Sequence, residues 1–365
     1  MVKHDREPLK IARFRDALLN WYALNQRDLP WRRSTDPYAI WVSEIMLQQT
    51  RVAVVVDRYK AFLERFPSIL ALALAPEQDV LALWSGLGYY RRARMLHKAA
   101  QFVADQLQGS LPATAEALRA LPGIGPYTAA AIASIAYGES VAVVDGNVER
   151  VLCRLAEWNV GSRAGGAAHK RKIEDLAGQL LDPTHPGDFN QALMELGATV
   201  CLPRNPLCLE CPVEWNCKTR GEHKKPARPK MLSREVAYAL SLRMGQFPGV
   251  ANREVLLEQR PAALTVMPGL WELPILRNPV VPEQHIRMAI RHAIMQVNYY
   301  VRIRNVFEDD VKTMTVQAGE RRWVPLGEAA GMALTGLARK VLSRARLLPT
   351  APLDAIAPER IEDVP

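Results

Sequence analysis

Four of the five cysteines in this 365-residue chain, Cys201, Cys208, Cys211 and Cys217, fall in one segment spaced C-x6-C-x2-C-x5-C. Thiolates this close in sequence wrap one metal centre, because each short loop returns a sulfur to a common point. Zinc sites more often present two separated C-x2-C knuckles, and here only Cys208 and Cys211 form such a pair. All-cysteine ligation also suits a four-iron cluster. The spacing therefore favours a metal, with iron–sulfur ahead of zinc. The fifth cysteine, Cys153, sits in the apolar run Val148–Leu155 and reads as a buried core thiol.

Two carboxylates have the setting for acid–base work. Glu44 lies three residues after Trp41 and three before Leu47, on the largely apolar face of the helix pattern Tyr38–Thr50. A glutamate there is costly unless paired or protonated. Burial raises its pKa towards the range a general acid needs; a snorkelling surface glutamate is the alternative. Asp145 follows Val143-Val144 and precedes a helix. It is either a plain N-cap or a carboxylate kept ionised by the helix dipole and facing a cation.

Between the two carboxylates, Leu121-Pro122-Gly123-Ile124-Gly125-Pro126-Tyr127 leads into the alanine-rich helix Thr128–Ala136. Gly123 and Gly125 permit a close backbone approach, and N–H groups beside a helix start suit a phosphate. An ordinary helix–helix turn has the same residues. The setting between helices, with no preceding strand, argues against a nucleotide-binding loop.

These groups must be positioned by helices, since the first two-thirds of the chain repeats apolar residues at three- and four-residue spacing, as in Ile11–Trp21, Val80–Trp84 and Ala129–Ala136. After Cys217 a basic stretch containing Lys218, Arg220, Lys224, Lys225, Arg228 and Lys230 reads as an exposed linker. Beyond it the period becomes two: Val236, Tyr238, Leu240, Leu242 and Met244 predict one half-buried strand, and Val297, Tyr299, Val301 and Ile303 another. A helical stretch over Leu326–Arg346 closes this part, and a Pro-rich tail follows. The expected architecture is mainly α: a helical domain over 1–217, a linker over 218–234, a smaller α+β domain over 235–347 and a tail over 348–365.

Composition agrees with a folded, anion-seeking protein. Hydrophobic residues make up 49% and charged residues 23%, which excludes disorder throughout. The 47 basic residues exceed the 38 acidic by nine, so a polyanionic partner is plausible. No run of about 18 apolar residues predicts a membrane span, and the N-terminal MVKHDREPLK lacks the apolar core of a secretory signal. A cytoplasmic monomer is the expectation.

The hairpin LPGIGPYTA, the downstream VDGNV and the four-cysteine loop together resemble the helix-hairpin-helix DNA glycosylases of the endonuclease III superfamily. Segments 29–32 (LPWR), 41–52 (WVSEIMLQQTRV), 86–94 (GLGYYRRAR) and 189–198 (FNQALMELGA) are most similar to its adenine-excising, MutY-type branch. The resemblance covers residues 8–345 and extends, at 269–274 (GLWELP), to that branch's NUDIX-type C-terminal domain.

The resemblance implies base excision repair on the bacterial nucleoid: hydrolysis of the N-glycosidic bond of adenine mispaired with 8-oxoguanine or guanine in duplex DNA, with one [4Fe-4S] cluster on the four cysteines. It implies that Glu44 protonates the adenine and Asp145 stabilises the oxocarbenium-like sugar, assisted by Tyr127 and Asn147. Gln48 and Tyr89 match residues that enter the DNA stack, Arg32 and Gln191 match the adenine pocket, and Gly123 and Gly125 match the phosphate-holding hairpin. The strand-cleaving branch has a lysine at position 127, so Tyr127 implies a glycosylase without lyase activity. Two departures stand out: Ile294-Met295-Gln296 replaces the Phe-Ser-His expected to read 8-oxoguanine, and the acidic box of NUDIX hydrolases is absent, so no nucleotide hydrolysis is expected. Rival readings are a thymine-excising relative and a non-catalytic DNA-binding protein. The sequence names no clamp or downstream repair partner.

Overall fold

Apolar residues at helical spacing fold the first part of the chain into eleven described α-helices. They are α1 (Ile11–Asn25), α2 (Pro37–Leu47), α3 (Val52–Arg65), α4 (Ile69–Leu74), α5 (Glu77–Leu83), α6 (Arg91–Gln106), α7 (Ala115–Leu118), α8 (Pro126–Tyr137), α9 (Gly146–Ala156), α10 (Gly166–Leu180) and α11 (Pro186–Thr199). The computed structural model describes residues 11–158, 166–222, 231–245, 253–294, 296–311, 314 and 319–348. The N-terminal ten residues, residues 223–230 of the expected basic linker, Met295 and all of the tail after Leu348 lie outside them. None of the described helices is long and apolar enough to cross a membrane.

The chain forms two compact units that are not linear segments. One comprises residues 1–49, 68–73 and 98–227; the other comprises 50–67, 74–97 and 228–365.

In the first unit, α2 is set by its ends. The Asp36 carboxylate accepts from the amides of Tyr38 and Ala39 (3.1 and 3.2 Å), and Pro37 occupies the first helical position. The helix stops at Leu47 rather than running to Thr50, because Gln48 turns away (ψ 111°) and Gln49 adopts the left-handed region at φ +56°. Every residue from Tyr38 to Met46 is buried. Helix α8 is buried over Thr128–Ser134, where every side chain but Ile132 is small, and this lets it pack closely against α2. Asn190 fixes the segment before Asp145: its amide donates to the Val141 carbonyl (2.9 Å) and Ser134 Oγ (3.0 Å), and its oxygen accepts from the Val143 amide (3.0 Å).

Helices α9 and α11 approach so closely that a Cβ on Gly197 would lie 2.6 Å from Asn147 Cβ and 3.0 Å from the Asn147 carbonyl oxygen. Arg150 bridges the same pair, donating to the carbonyls of Gly197 (2.6 Å) and Cys201 (2.8 Å).

In the second unit, α3 and α5 meet through Phe62 and Trp84, edge to face with centroids 6.1 Å apart. The turn after α5 is tied to the C-terminal residues: Arg339 Nε donates to Ser85 Oγ (2.6 Å), and Tyr90 Oη donates to the Leu334 carbonyl (2.8 Å). The strands are β1 (Leu232–Leu240), β2 (Leu242–Met244), β3 (Arg253–Gln259), β4 (Trp271–Glu272), β5 (Ile286–Ile294), β6 (Val297–Asn305) and β7 (Arg321–Pro325). β6 is central in one sheet, parallel to β1 and antiparallel to β5. β3 is central in the other, antiparallel to β2, β4 and β7.

Two expectations are corrected here. The single half-buried strand over 236–244 is two strands, broken at Ser241 where the chain passes from one sheet to the other; the second half of β1 is buried on both faces, whereas β2 is half-buried to exposed. Tyr238 and Leu240 join the main core of this unit, whereas Ala239 packs into a second cluster with Leu256, Val306 and Val311. The helix expected over Leu326–Arg346 is α13 (Leu326–Gly331) and α14 (Gly336–Arg344), which follow the short α12 (Glu308–Val311). The break lies where the Trp271 amide donates to the Ala333 carbonyl (2.9 Å) and the Thr335 amide to the Trp271 carbonyl (2.8 Å); Thr335 then caps α14.

The α9–α11 contact makes a test. Gly197→Ala should force the two backbones apart and lower stability by about 1–3 kcal/mol, as overpacking does, seen as a lower melting temperature by circular dichroism. An unshifted melt would refute the close approach.

Candidate active site

Glu44 projects from the middle of the fully buried stretch of α2 and is 6% exposed. Its Oε2 accepts a 2.7 Å hydrogen bond from the Tyr127 hydroxyl, which comes from the first turn of α8. Burial lifts the Glu44 carboxyl to about 7; the Tyr127 hydrogen bond opposes this, and the nearby charge of Asp145 adds to it. Burial, together with the Glu44 and Asp145 charges, drives the Tyr127 phenol well above its usual range, so it stays protonated and donates. Met194 of α11 also touches this hydroxyl, Sδ lying 3.5 Å away.

Asp145 is the N-cap of α9, and both readings of it meet in one geometry. Its Oδ1 accepts from the amides of Asn147 (2.9 Å) and Val148 (2.7 Å), and its Oδ2 from Asn147 Nδ2 (2.8 Å). Burial raises its pKa, and these three donors pull in the opposite direction by favouring the charged form. Asn147 is held in turn, its Oδ1 accepting from Arg150 Nη2 (2.9 Å). A carboxyl poised to give a proton thus sits within electrostatic reach of a carboxyl whose lone pairs are organised by N–H groups.

The remaining expected residues divide. Gln48 lies just past the end of α2, its amide donating to Thr128 Oγ1 (3.2 Å) beside Tyr127. Gly123 takes φ +77°, as its turn requires, and Gly125 starts α8 with no side-chain cap and nothing within 4 Å of where its Cβ would be. The hairpin therefore leaves helix-terminal amides open to an anion. Gln191 is half-buried on α11. Arg32 donates to Glu195 Oε2 (2.7 Å), four residues beyond Gln191. Tyr89 belongs to the second unit, half exposed at φ +47°, with the Arg92 guanidinium 5.6 Å from its ring centre.

The sequence reading missed the cluster around Glu195. This carboxylate is fully buried, and burial alone would raise its pKa. Hydrogen bonds from Arg27 and Arg32 overcome that and hold it at about 2. The apolar neighbours of Glu195 in the sequence gave the only signal. Arg154 was missed as well: it is 3% exposed and donates to Cys201 Sγ (3.2 Å) and the Leu202 carbonyl (2.7 Å).

All four cysteines of the loop are half-buried, and Cys201, Cys211 and Cys217 pack on the core that includes Val200 and Val213. The loop folds through two short 3-10 turns, Cys208–Glu210 and Glu214–Asn216, and returns to the end of α9, where the Thr219 amide donates to the Arg154 carbonyl (3.2 Å). Cys153 is fully buried, as its apolar setting implied.

Residues 42–174 match the family model described as HhH-GPD superfamily base excision DNA repair protein. The chain is 49% identical over 224 residues to an adenine DNA glycosylase of Homo sapiens, the match covering 59% of this chain and 41% of that protein. It is 40% identical to an adenine DNA glycosylase of Mus musculus, covering 75% of this chain and 63% of that protein. The chain thus spans about two-fifths to three-fifths of the length of these relatives. Among solved structures it is similar to a thermostable thymine-DNA glycosylase, with a TM-score of 0.52 and 29% identity, covering 57% of this chain and 96% of that one.

The buried Glu44 fixes a sign for the dependence of stability on pH. Its pKa rises from an ordinary 4.5 unfolded to about 7 folded. The folded state is therefore unpenalised below 4.5 and loses stability as pH rises to 7. At 1.36 kcal/mol per unit the full loss is of order 3 kcal/mol. Glu44→Gln should flatten this, gaining on the parent protein across that interval in denaturant titrations. Parallel pH profiles would remove the assignment of a raised pKa.

Proposed function

We propose that the chain is a member of the HhH-GPD superfamily of base excision DNA repair proteins, whose model matches residues 42–174, and that it is an adenine DNA glycosylase that removes adenine mispaired with 8-oxoguanine or guanine. The observation that carries this reading is the pairing of Glu44, protonated up to about pH 7 and held by Tyr127, with Asp145. The likeness to the human and mouse adenine DNA glycosylases supports adenine as the base.

In this reading the adenosine leaves the duplex before cleavage. Glu44 gives its proton to the adenine ring, which turns the base into a leaving group. Asp145, aimed by Asn147 and the first amides of α9, faces the positive charge that develops on the sugar, as paired carboxylates do in glycoside cleavage. Water completes the hydrolysis. Tyr127 offers no amine, so no Schiff base with the sugar forms and the strand stays intact.

The open amides at Gly123 and Gly125 hold a backbone phosphate. Gln48 and Tyr89 enter the stack beside the lesion, and Arg32, with Gln191, borders the base pocket. The residues from 235 onward form a NUDIX-like domain that reads the opposing base. Gln296, exposed on the turn between β5 and β6, occupies the place where a histidine is expected.

The four loop cysteines would hold a [4Fe-4S] cluster, and the donor set fits. Its sulfurs line the face of a packed core, and Arg154 directs an N–H at Cys201 Sγ. Four thiolates from one short loop suit the all-cysteine ligation of a four-iron cluster. Cys201, Cys208, Cys211 and Cys217, by holding it, would fix the loop beside the end of α9, where the Thr219 amide already donates to the Arg154 carbonyl. Iron analysis and a visible absorption band should report about four irons per chain, and zinc in their place would overturn the assignment.

A thymine-excising reading rests on the structural likeness to the thymine-DNA glycosylase. One assay separates the two. Duplexes carrying A opposite 8-oxoguanine, A opposite G, or T opposite G are incubated with the protein and then treated with alkali. Alkali-dependent nicks at adenine are expected, falling off above about pH 7, and Glu44→Gln should abolish them while DNA binding persists. Tyr127→Phe removes the hydrogen bond that lowers the Glu44 pKa, so its fall-off should move to higher pH. Nicks only at thymine, or without alkali, would sink the proposal.

A further inference from the structure

Cys153 was expected to be a core thiol, and its surroundings contain more than that role needs. Glu149 and Cys153 lie four residues apart on α9 and so share one face. Opposite them, α10 presents His169, whose Nε2 is 3.9 Å from Cys153 Sγ. One ligand atom from each of the three, Glu149, Cys153 and His169, lies within 4.8 Å of the other two. Glu149 has no ion-pair partner among the described residues.

We propose that Glu149, Cys153 and His169 form a binding site for a divalent transition metal, with zinc as the fitting ion and water as its fourth ligand. The donor chemistry selects the class. One thiolate, one imidazole and one carboxylate suit zinc, whereas magnesium and calcium require oxygen ligands. The geometry agrees. A tetrahedral ion with Zn–S of about 2.3 Å and Zn–N of about 2.0 Å holds those two atoms roughly 3.6 Å apart, a few tenths of an ångström inside the 3.9 Å observed. Side-chain rotation on two separate helices supplies that closure.

Access agrees as well. Cys153 is fully buried and anchors the inner side, while Glu149 and His169 are half-buried and open the site to solvent. On binding, the Cys153 proton is released to water and the thiolate takes its place on the metal. The site is separate from the cysteine loop, because none of Cys201, Cys208, Cys211 and Cys217 shares the 4.8 Å set. Its occupant would pin α9 to α10, and α9 is the helix whose first turn presents Asp145 and Asn147.

The test uses the intact protein as purified, with whatever iron it carries. Samples of the parent, His169→Ala, Cys153→Ala and Glu149→Gln are equilibrated with zinc, desalted and analysed for zinc and iron by mass spectrometry, and their melting temperatures are measured with and without zinc. The parent should retain about one zinc per chain and melt at a higher temperature with zinc present. His169→Ala and Cys153→Ala should lose both effects, and Glu149→Gln should need at least about tenfold more zinc, as loss of a ligand weakens a site. Iron content should be unchanged throughout. His169 is half-exposed, so its variant keeps the test decisive if Cys153→Ala misfolds. Equal zinc in the parent and His169→Ala, no zinc in any sample, or zinc gained only as iron is lost would each overturn the proposal.

Discussion

Water is nearly excluded from one carboxyl group, and much of the first unit is arranged around that exclusion. Glu44 is surrounded because α2 is buried along its length, not on a single stripe. A helix buried all round needs neighbours on every side, and the small side chains of α8 bring one of them close enough for Tyr127 to reach the carboxyl. The free energy spent in burying Glu44 is recovered by the rest of the core, and the result is an acid that still carries its proton near neutrality.

Three carboxyls in this unit show how far surroundings separate groups of nearly equal intrinsic acidity. Glu44 has one neutral donor and rises to about 7, while Glu195, equally deprived of water, has two guanidiniums and falls to about 2. Asp145 lies between these situations, desolvated but receiving three N–H donors. Burial is common to all three, so the partner decides the charge. Because the Glu195 carboxylate is fully buried, any rearrangement that took it from Arg27 and Arg32 would carry a large penalty.

Local pattern made some of this legible in the sequence. The spacing of Glu44 among Trp41 and Leu47 announced a buried glutamate, and Asp145 before a helix announced a cap. The apolar run around Cys153 announced a core thiol. Features that depend on distant partners were not legible. Glu195 meets Arg27 and Arg32 across more than 160 residues of chain, and nothing near Gly197 in sequence says that Asn147 will press against it. Period-two alternation over 236–244 could not reveal the change of sheet at Ser241, because a strand crossing between sheets keeps its alternation while its environment changes. The break between α13 and α14 was hidden for a similar reason: backbone groups of Trp271, far away in the chain, claim those of Ala333 and Thr335.

The division into units has a consequence for how the chain responds to being cut. Following the sequence, the backbone passes from one unit to the other at 49/50, 67/68, 73/74, 97/98 and again at 227/228. Only the last of these crossings is the basic segment that reads as a linker. A protease that severed it would leave four other covalent crossings intact, and the segment around Ser85 and Tyr90 would still be hydrogen-bonded to Leu334 and Arg339 on the far side of the nick. Two bands on a denaturing gel would then come from one particle in solution. Conversely, a chain ending at that point would lose the hydrogen bonds that Ser85 and Tyr90 receive from or give to Arg339 and Leu334, so residues 50–67 and 74–97 would depend on the helices alone.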